Sequence, residues 1–321
     1  MRLYMAPMEG ITGWGYRRIY EKYFGHIDKY FTPFLSPGQD RVFTHRELQE
    51  ILPEHNEGME VVPQLLANRS GDFIWAAGEL KQMGYREVNF NLGCPSGTVV
   101  AKRKGSGMLA DPEALDECLY QIFEALDMKI SIKTRIGKTE PEEFYELLSI
   151  YNRYPLSELI IHPRVQKEFY KGLPHMDIFR EAEKESRNPV CYNGNLFTAA
   201  DFEQFHLEFP NQDRVMLGRG LISNPALAAQ IQEAGPRKPA DEEILKQFHD
   251  ELLAYYMEIM PGERNVLFKM KELWTYLLAS FEDGEKLGKK IKKAQHLAEY
   301  RAAAEALFAE KRIRTDTGFR G

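Results

Sequence analysis

From the N-terminus to about residue 232, short strand-like runs alternate eight times with amphipathic helix-like segments, and this alternation limits the fold more than any other feature of the chain. Leu3 to Ala6, Lys29 to Phe34, Glu60 to Leu66, Glu87 to Leu92, Lys129 to Thr134, Glu158 to His162, Pro189 to Asn193 and Arg214 to Leu217 have the length and apolar character of strands. Segments 14–24, 40–51, 70–83, 111–126, 141–153, 175–187, 198–208 and 223–232 carry helical spacing between them. Asp111-Pro112 and Glu140-Pro141 place proline in a first turn, and Thr198 stands before Ala-Ala-Asp-Phe as a helix start. Strands separated by helices pair in parallel, so eight such units predict a closed (β/α)8 TIM barrel of the α/β class. A doubly wound sheet is the alternative, but no G-x-G-x-x-G follows the first strand.

The pattern changes after Gly235-Pro236-Arg237-Lys238-Pro239-Ala240, which reads as a linker. Beyond it no strand-like alternation remains, and 241–260, 264–281 and 285–311 read as three helices. Ile244, Phe248, Leu252, Leu253, Tyr255 and Tyr256 form the apolar stripe of the first. The expected organisation is a barrel over 1–235, a small helical-bundle domain over 241–314 and a frayed tail over 315–321.

Composition narrows the class. A hydrophobic content of 43% with 28% charged residues is that of a globular chain, and no run of eighteen apolar residues suggests a membrane span. The N-terminus lacks the charged and apolar regions of a signal peptide. Three widely spaced cysteines without C-x-x-C argue against a disulfide framework or a metal site and fit a reducing, cytoplasmic setting. The net charge of -6 means that any nucleic-acid contact must come from local basic patches.

A barrel brings the carboxyl ends of its strands to one face, and here those ends are rich in polar groups. They carry Pro7-Met8 (first strand), Gln64 (third), Asn91 and Cys94 (fourth), Lys133 and Arg135 (fifth), His162 and Arg164 (sixth), Asn193-Gly194-Asn195 (seventh) and Gly218-Arg219-Gly220 (eighth). Glycines after the last two strands let backbone N–H groups approach an anion, and Arg219 adds a charge-assisted contact. Each group also has an ordinary reading: a tight turn at Gly194 or Gly220, a structural ion pair at Lys133, a core histidine at His162, a small buried thiol at Cys94.

Taken jointly, Ala6-Pro7-Met8, Pro63-Gln64-Leu65, Asn91-Leu92-Gly93-Cys94-Pro95, Lys133-Thr134-Arg135, His162-x-Arg164, Tyr170-Lys171-Gly172, Asn193-Gly194 and Gly218-Arg219-Gly220 resemble the dihydrouridine synthase family. These are flavin enzymes that reduce uridines in RNA, typically tRNA. The chain departs from the family pattern at Asn195, where aspartate is usual, at Ser106 within Gly105-Ser106-Gly107, where alanine is common, and at Pro163, where a small residue is usual.

The resemblance implies FMN across the barrel mouth, with NADPH or NADH as its reductant. Pro7 and Met8 would pack along the ring, Gln64 would bond its polar edge, and Lys133 would reach the N1/O2 side. His162 would lie near the ring or the phosphate, and Asn193, Gly194, Asn195, Gly218 and Arg219 would hold the phosphate. Hydride would pass from flavin N5 to uracil C6, and Cys94, an ordinary thiol with a pKa of about 8.5, would supply the proton to C5. Asn91 would hydrogen-bond a uracil edge, and Arg135 would help to hold the base or the flavin.

A uridine in folded RNA must be turned out to reach such a site. Lys102, Arg103, Lys104, Arg164, Lys167, Tyr170 and Lys171 are the expected RNA contacts around the mouth, with Lys102 to Lys104 turned to RNA rather than to the thiol. Lys286, Lys289, Lys290, Lys292 and Lys293 are either a second contact or a solvated helix face. The favoured substrate is the D-loop of tRNA and the favoured state a monomer. A flavoenzyme acting on a free pyrimidine, a synthase acting on rRNA and a non-catalytic RNA-binding barrel are the alternatives.

Overall fold

The computed structural model describes residues 1–233, 239–315 and 318–319, so most of the expected linker and part of the tail lie outside the described residues. Its single sheet contains β1 (Arg2–Met5), β2 (Lys29–Phe31), β3 (Val61–Val62), β4 (Gln64–Leu65), β5 (Glu87–Leu92), β6 (Lys129–Gly137), β7 (Leu159–Val165), β8 (Val190–Tyr192) and β9 (Arg214–Leu217). The paired strands run parallel in the order β3-β2-β1-β9-β8-β7-β6-β5-β4. β3 and β4 are successive stretches of one segment, interrupted only by Pro63, which has no N–H to donate. The two ends of the sheet are therefore joined by the chain itself. β3 pairs with β2 while β4 pairs with β5, and a bridge between Leu35 and Leu65 strengthens the seam. The nine segments thus make the expected eight-stranded TIM barrel.

Two compact units share the chain. One comprises Met1–Glu9, Asp28–Asn195 and Phe209–Met216, and holds all of the barrel strands except Leu217 at the end of β9. On its outside, the helices Ser70–Gln82, Pro112–Ala125 and Glu143–Tyr151 pack in succession, and Met176–Glu185 packs on β7 and β8. Asp111 caps the helix that begins at Pro112 by accepting from Ala114 N at 3.1 Å. The helix expected from residue 141 begins instead at Glu143, whose carboxylate folds back to accept from the backbone N–H groups of Lys138, Thr139 and Glu140.

The second unit comprises Gly10–Ile27, Leu196–Glu208 and Leu217–Gly321. It contains the helices Trp14–Tyr23 and Ala199–Glu208 together with Glu242–Ile259, Glu263–Leu277, Glu285–Lys293 and Leu297–Glu310. In Glu242–Ile259 the buried stripe includes Leu245 and His249, whereas Ile244 is exposed. The helix expected over 285–311 is broken at Ala294 to His296, where Glu299 accepts from Gln295 N at 2.8 Å. The break lets Leu287 and Ile291 share a core with Tyr300, Ala304 and Leu307, which one straight helix cannot do. Among the described residues no helix is long and apolar enough to cross a membrane.

Register sorts the barrel interior into layers, because paired residues of parallel strands point to the same side and residues two apart share a face. Lys29, Glu87, Glu158 and Arg214 lie at the amino-terminal end. Lys29 Nζ is 3.0 Å from Glu87 Oε2 and 3.3 Å from Glu158 Oε1, and Tyr4 Oη donates to Glu158 Oε1 at 2.6 Å. Burial and the Glu158 carboxylate push the Tyr4 phenol far up, which keeps it a donor. Above this layer sits an apolar plug of Tyr4, Ala6, Phe31, Val62, Ile160, Cys191 and Met216.

A buried ion cluster of this kind is costly to break on one side only. Glu158→Ala is expected to leave Lys29 with Glu87 and Arg214 with Asp213, each one carboxylate short, and to destabilise the fold by about 3 kcal/mol, the lower end for a one-sided break. Urea denaturation followed by circular dichroism checks this.

Candidate active site

At the carboxyl-terminal end of the barrel the interior becomes polar. The register pairs Gln64 with Asn89, Asn89 with Ser131, Asn91 with Lys133 and Arg135 with His162, so these side chains share the inner face. Cys94 follows two residues after β5, half-buried. Gly93 N and Cys94 N both donate to Asn91 Oδ1, at 3.1 and 2.9 Å.

Those two backbone donors set the direction of a whole relay. With its oxygen engaged, Asn91 turns its Nδ2 to Gln64 Oε1 at 2.6 Å. Gln64 Nε2 then donates to Asn89 Oδ1 at 2.8 Å, and Asn89 Nδ2 to Ser131 Oγ at 2.9 Å. No amide in the series can flip without placing donor against donor.

The other side of the Cys94 loop is held by the segment Gly105–Ala110. Ser106 N and Ser106 Oγ both donate to Cys94 O, at 3.1 and 2.8 Å. Gly105 has φ +56°, and a Cβ there would stand 2.8 Å from Cys94 O, so only glycine fits. The serine that departs from the Gly-Ala-Gly pattern thus contributes a hydrogen bond to the thiol-bearing loop. Asn89, Ser131 and Ser106 were not among the residues expected from sequence. The serine was visible only as a departure, and nothing in the spacing marked the other two.

The six cations expected at this site play different parts. Arg135 is buried and donates to the carbonyls of Gly93, Val165 and Phe169 at 3.0, 2.9 and 2.7 Å. Its guanidinium also lies 5.6 Å from the centre of the Tyr170 ring. Arg164 is fully buried; it donates to the carbonyls of Lys171 and Gly172 and to Asn195 Oδ1, and contacts His162 Nε2 at 3.1 Å. Both arginines tie loops together from within. Lys104 Nζ donates to Ser36 Oγ at 2.9 Å, and Lys102 and Arg103 are exposed. Of the three that face inward, Lys133, Arg135 and Arg164, only Lys133 has no side-chain hydrogen bond or ion pair among the described residues. Burial, then the neighbouring Arg135, lowers its pKa to about 8.

Burial also raises the Cys94 thiol above its ordinary value. The Ser96 N–H, Arg135 and Lys133 oppose that rise and Glu9 reinforces it. The protonated thiol prevails at neutral pH, and the Lys102 to Lys104 run is not what acts on the sulfur.

The remaining expected residues fall as follows. Pro7 and Met8 are half-buried after β1. Asn193 is buried and donates to Met216 O at 2.8 Å, while the room beside Gly194 is filled by the Tyr192 phenol, 2.0 Å from where a Cβ would lie. Lys167, Tyr170 and Lys171 are exposed, with Lys167 paired to Glu140 at 2.9 Å. Gly218 and Arg219 belong to the second unit, where the Arg219 guanidinium lies 5.1 Å from the Phe197 ring and 5.5 Å from the Phe319 ring.

Chemically, the first unit offers an unpaired ammonium, oriented amide groups and a protonated thiol at the carboxyl-terminal end of the barrel. Comparison with known proteins identifies the family. The model of the family "Dihydrouridine synthase (Dus)" matches residues 4–312. A "Probable tRNA-dihydrouridine synthase" of Staphylococcus aureus (strain COL) is 26% identical over 319 residues, covering 95% of this chain and 93% of that protein. A "tRNA-dihydrouridine(16) synthase" of Pseudomonas putida is 28% identical over 242 residues, covering 73% and 74%. Among solved structures, a morphinone reductase variant in complex with tetrahydroNAD has a TM-score of 0.51 at 13% identity, covering 72% of this chain and 86% of that one. Histamine dehydrogenase from Rhizobium sp. 4-9 has a TM-score of 0.54 at 12% identity, covering 85% and 49%. These two likenesses concern the fold.

The thiol yields a direct test. Alkylation of Cys94 by iodoacetamide is expected to be slow at pH 7 and to rise with a midpoint above that of a free cysteine, about 8.5. Glu9→Gln is expected to move the midpoint down, because it removes the charge that disfavours thiolate. Peptide mass spectrometry of the alkylated protein, with Cys94→Ser as the blank, provides the readout.

Proposed function

Because the chain belongs to the dihydrouridine synthase family, we propose that it reduces the C5=C6 bond of uridine in tRNA, in the D-loop, with FMN as cofactor and NADPH as reductant. The observation that carries this reading is the unpaired Lys133 ammonium beside a protonated Cys94 thiol at the carboxyl-terminal end of the barrel. A buried cation without a partner is costly, so an anionic occupant is the natural complement. The residues present suit a flavin on that ground. Lys133 would hold the anionic edge of the ring, Gln64 would meet its polar edge through whatever hydrogen-bonding capacity the relay leaves, and Pro7 and Met8 would supply apolar contact.

When bound, the flavin supplies hydride to the electron-poor C6 of the uracil. The protein's own part is to hold the proton for C5. Cys94 keeps it on sulfur because burial disfavours the thiolate, and the bonds from Asn91 and Ser106 keep the sulfur-bearing loop in place. The proton comes off the thiol as the C5–H bond forms, and the thiolate left behind stands near Arg135 and Lys133, which favour it. In the first unit, the phosphate of the cofactor is assigned to Asn193, Gly194 and Asn195 by family resemblance.

For the RNA, the proposed contacts in the first unit are the exposed Lys102, Arg103, Lys167, Tyr170 and Lys171. The reading of 241–314 as an RNA-binding domain is supported by the helix Glu285–Lys293. It buries Leu287, Gly288 and Ile291 and exposes Lys286, Lys289, Lys290, Lys292 and Lys293. Five exposed lysines on one short helix suit a phosphate backbone.

Two outcomes follow from this assignment. Cys94→Ala should still bind FMN and accept electrons from NADPH in an anaerobic absorbance assay, while dihydrouridine formation on tRNA drops by at least about 100-fold, the size of a general-acid contribution. A protein that takes up no FMN contradicts the proposal. Secondly, FMN affinity should fall as pH rises through about 8, the point at which free Lys133 loses its proton, by up to about tenfold per pH unit. Lys133→Met should bind more weakly and show no such slope in a flavin-fluorescence titration.

A further inference from the structure

The pair His162–Arg164 is not used by the chemistry above. Arg164 Nη1 stands 3.1 Å from His162 Nε2, in a part of the barrel where Arg164 is fully buried and His162 is 8% exposed. A guanidinium carries donors only and does not give up its proton in proteins, so the imidazole nitrogen it faces must present a lone pair. The ring proton of His162 therefore sits on Nδ1. A second proton on Nε2 would set N–H against N–H and add a positive charge beside a positive charge.

The neighbouring cations push the same way, against the Glu168 carboxylate, which interacts with Arg164 and Arg135. Arg135 is the register partner of His162 on β6, and Lys133 lies two residues before it on the same face. Tyr170, its ring centre 6.0 Å from that of His162, is a neutral neighbour. Glu168, the nearby carboxylate, accepts from Val165 N and contacts His175 Nε2 at 2.8 Å. On the loop after β8 stands Asn195, whose Oδ1 accepts from Arg164 Nη1 at 3.3 Å. This is the position where the family usually has aspartate. The amide holds the guanidinium by the same kind of bond but adds no charge of its own.

We propose that Arg164, held by Asn195, is a positioning residue that locks His162 as the neutral Nδ1–H tautomer, making it a hydrogen-bond donor to a ligand oxygen and not a proton donor. Its consequence for catalysis rests on the uridine-reduction reading. An imidazole that gives up its single N–H becomes an anion, so His162 does not compete with Cys94 as the acid. The lock itself does not depend on that reading, and it is tested on the imidazole alone.

The test is long-range ¹H–¹⁵N correlation NMR of the full chain labelled with ¹⁵N-imidazole histidine, with His162→Gln identifying the signal among the eight histidines. The wild-type ring is expected to show protonated Nδ1 and unprotonated Nε2, without titrating between pH 8 and 5.5. Arg164→Met should release it to titrate near the ordinary histidine value of about 6.5. Asn195→Asp, which restores the usual family residue and spares the buried arginine, covers the case in which Arg164→Met does not fold. Its carboxylate should raise the midpoint by about one pH unit or more, enough to bring titration into the window. A wild-type Nε2–H tautomer, or a wild-type midpoint near 6.5 that neither variant moves, overturns the proposal. Loss of flavin binding with the Nδ1–H tautomer intact would overturn the functional reading instead.

Discussion

Two backbone N–H groups, those of Gly93 and Cys94, converge on the single oxygen Asn91 Oδ1, and the polar end of the barrel is arranged around that meeting. Backbone donors cannot be reversed, so their direction propagates through Asn91, Gln64 and Asn89 to Ser131 across three adjacent strands. The relay couples the loop that bears the thiol to the amide at the end of β4. It also explains why a polar stripe can be buried here: each amide donates once to its neighbour, and each amide oxygen accepts. Ser106 closes the same loop from the opposite side through the Cys94 carbonyl.

Three inward cations stand near this loop, and their hydrogen bonds separate their roles. Arg135 and Arg164 end on backbone carbonyls of five residues, spread over the loop after β5, the last residue of β7 and the loop that follows it. Their planar, multiply donating heads suit that work, which an ammonium could not do in the same geometry. Lys133 has no such commitment. Burial holds its pKa near 8, so its charge is available to a ligand at neutral pH and withdraws above it. The thiol is tuned in the opposite sense, with burial keeping it protonated.

The opposite end of the barrel pairs its charges with one another. Lys29 bridges Glu87 and Glu158, and Tyr4 donates to Glu158 Oε1, which leaves Glu158 Oε2 without a hydrogen bond. One end thus sets cation against carboxylate within the fold and contributes stability, while the other leaves an ammonium unpaired and contributes chemistry. The same division between the two faces is general for barrels of this class.

The alternation of strand and helix patterns is a local property, and it determined the barrel, the order of its strands and the positions of Gln64, Asn91, Cys94, Lys133 and His162 at strand ends. It also carried the helical character of 241–310. Tertiary structure decided what those side chains are bonded to. From sequence, Lys102 to Lys104 were equivalent, yet Lys104 is tied to Ser36 while its neighbours are exposed. Lys133, Arg135 and Arg164 were three basic residues of one motif set, yet only the lysine is uncommitted. Asn89 and Ser131 carried no signal, because their importance lies in partners 25 and 42 positions away. The break at Ala294 to His296 lacked glycine or proline and was set by the need of two helices to share a core. Periodicity reports which way a residue points, whereas hydrogen bonding between distant segments settles whether a polar group belongs to the framework or is left for a ligand.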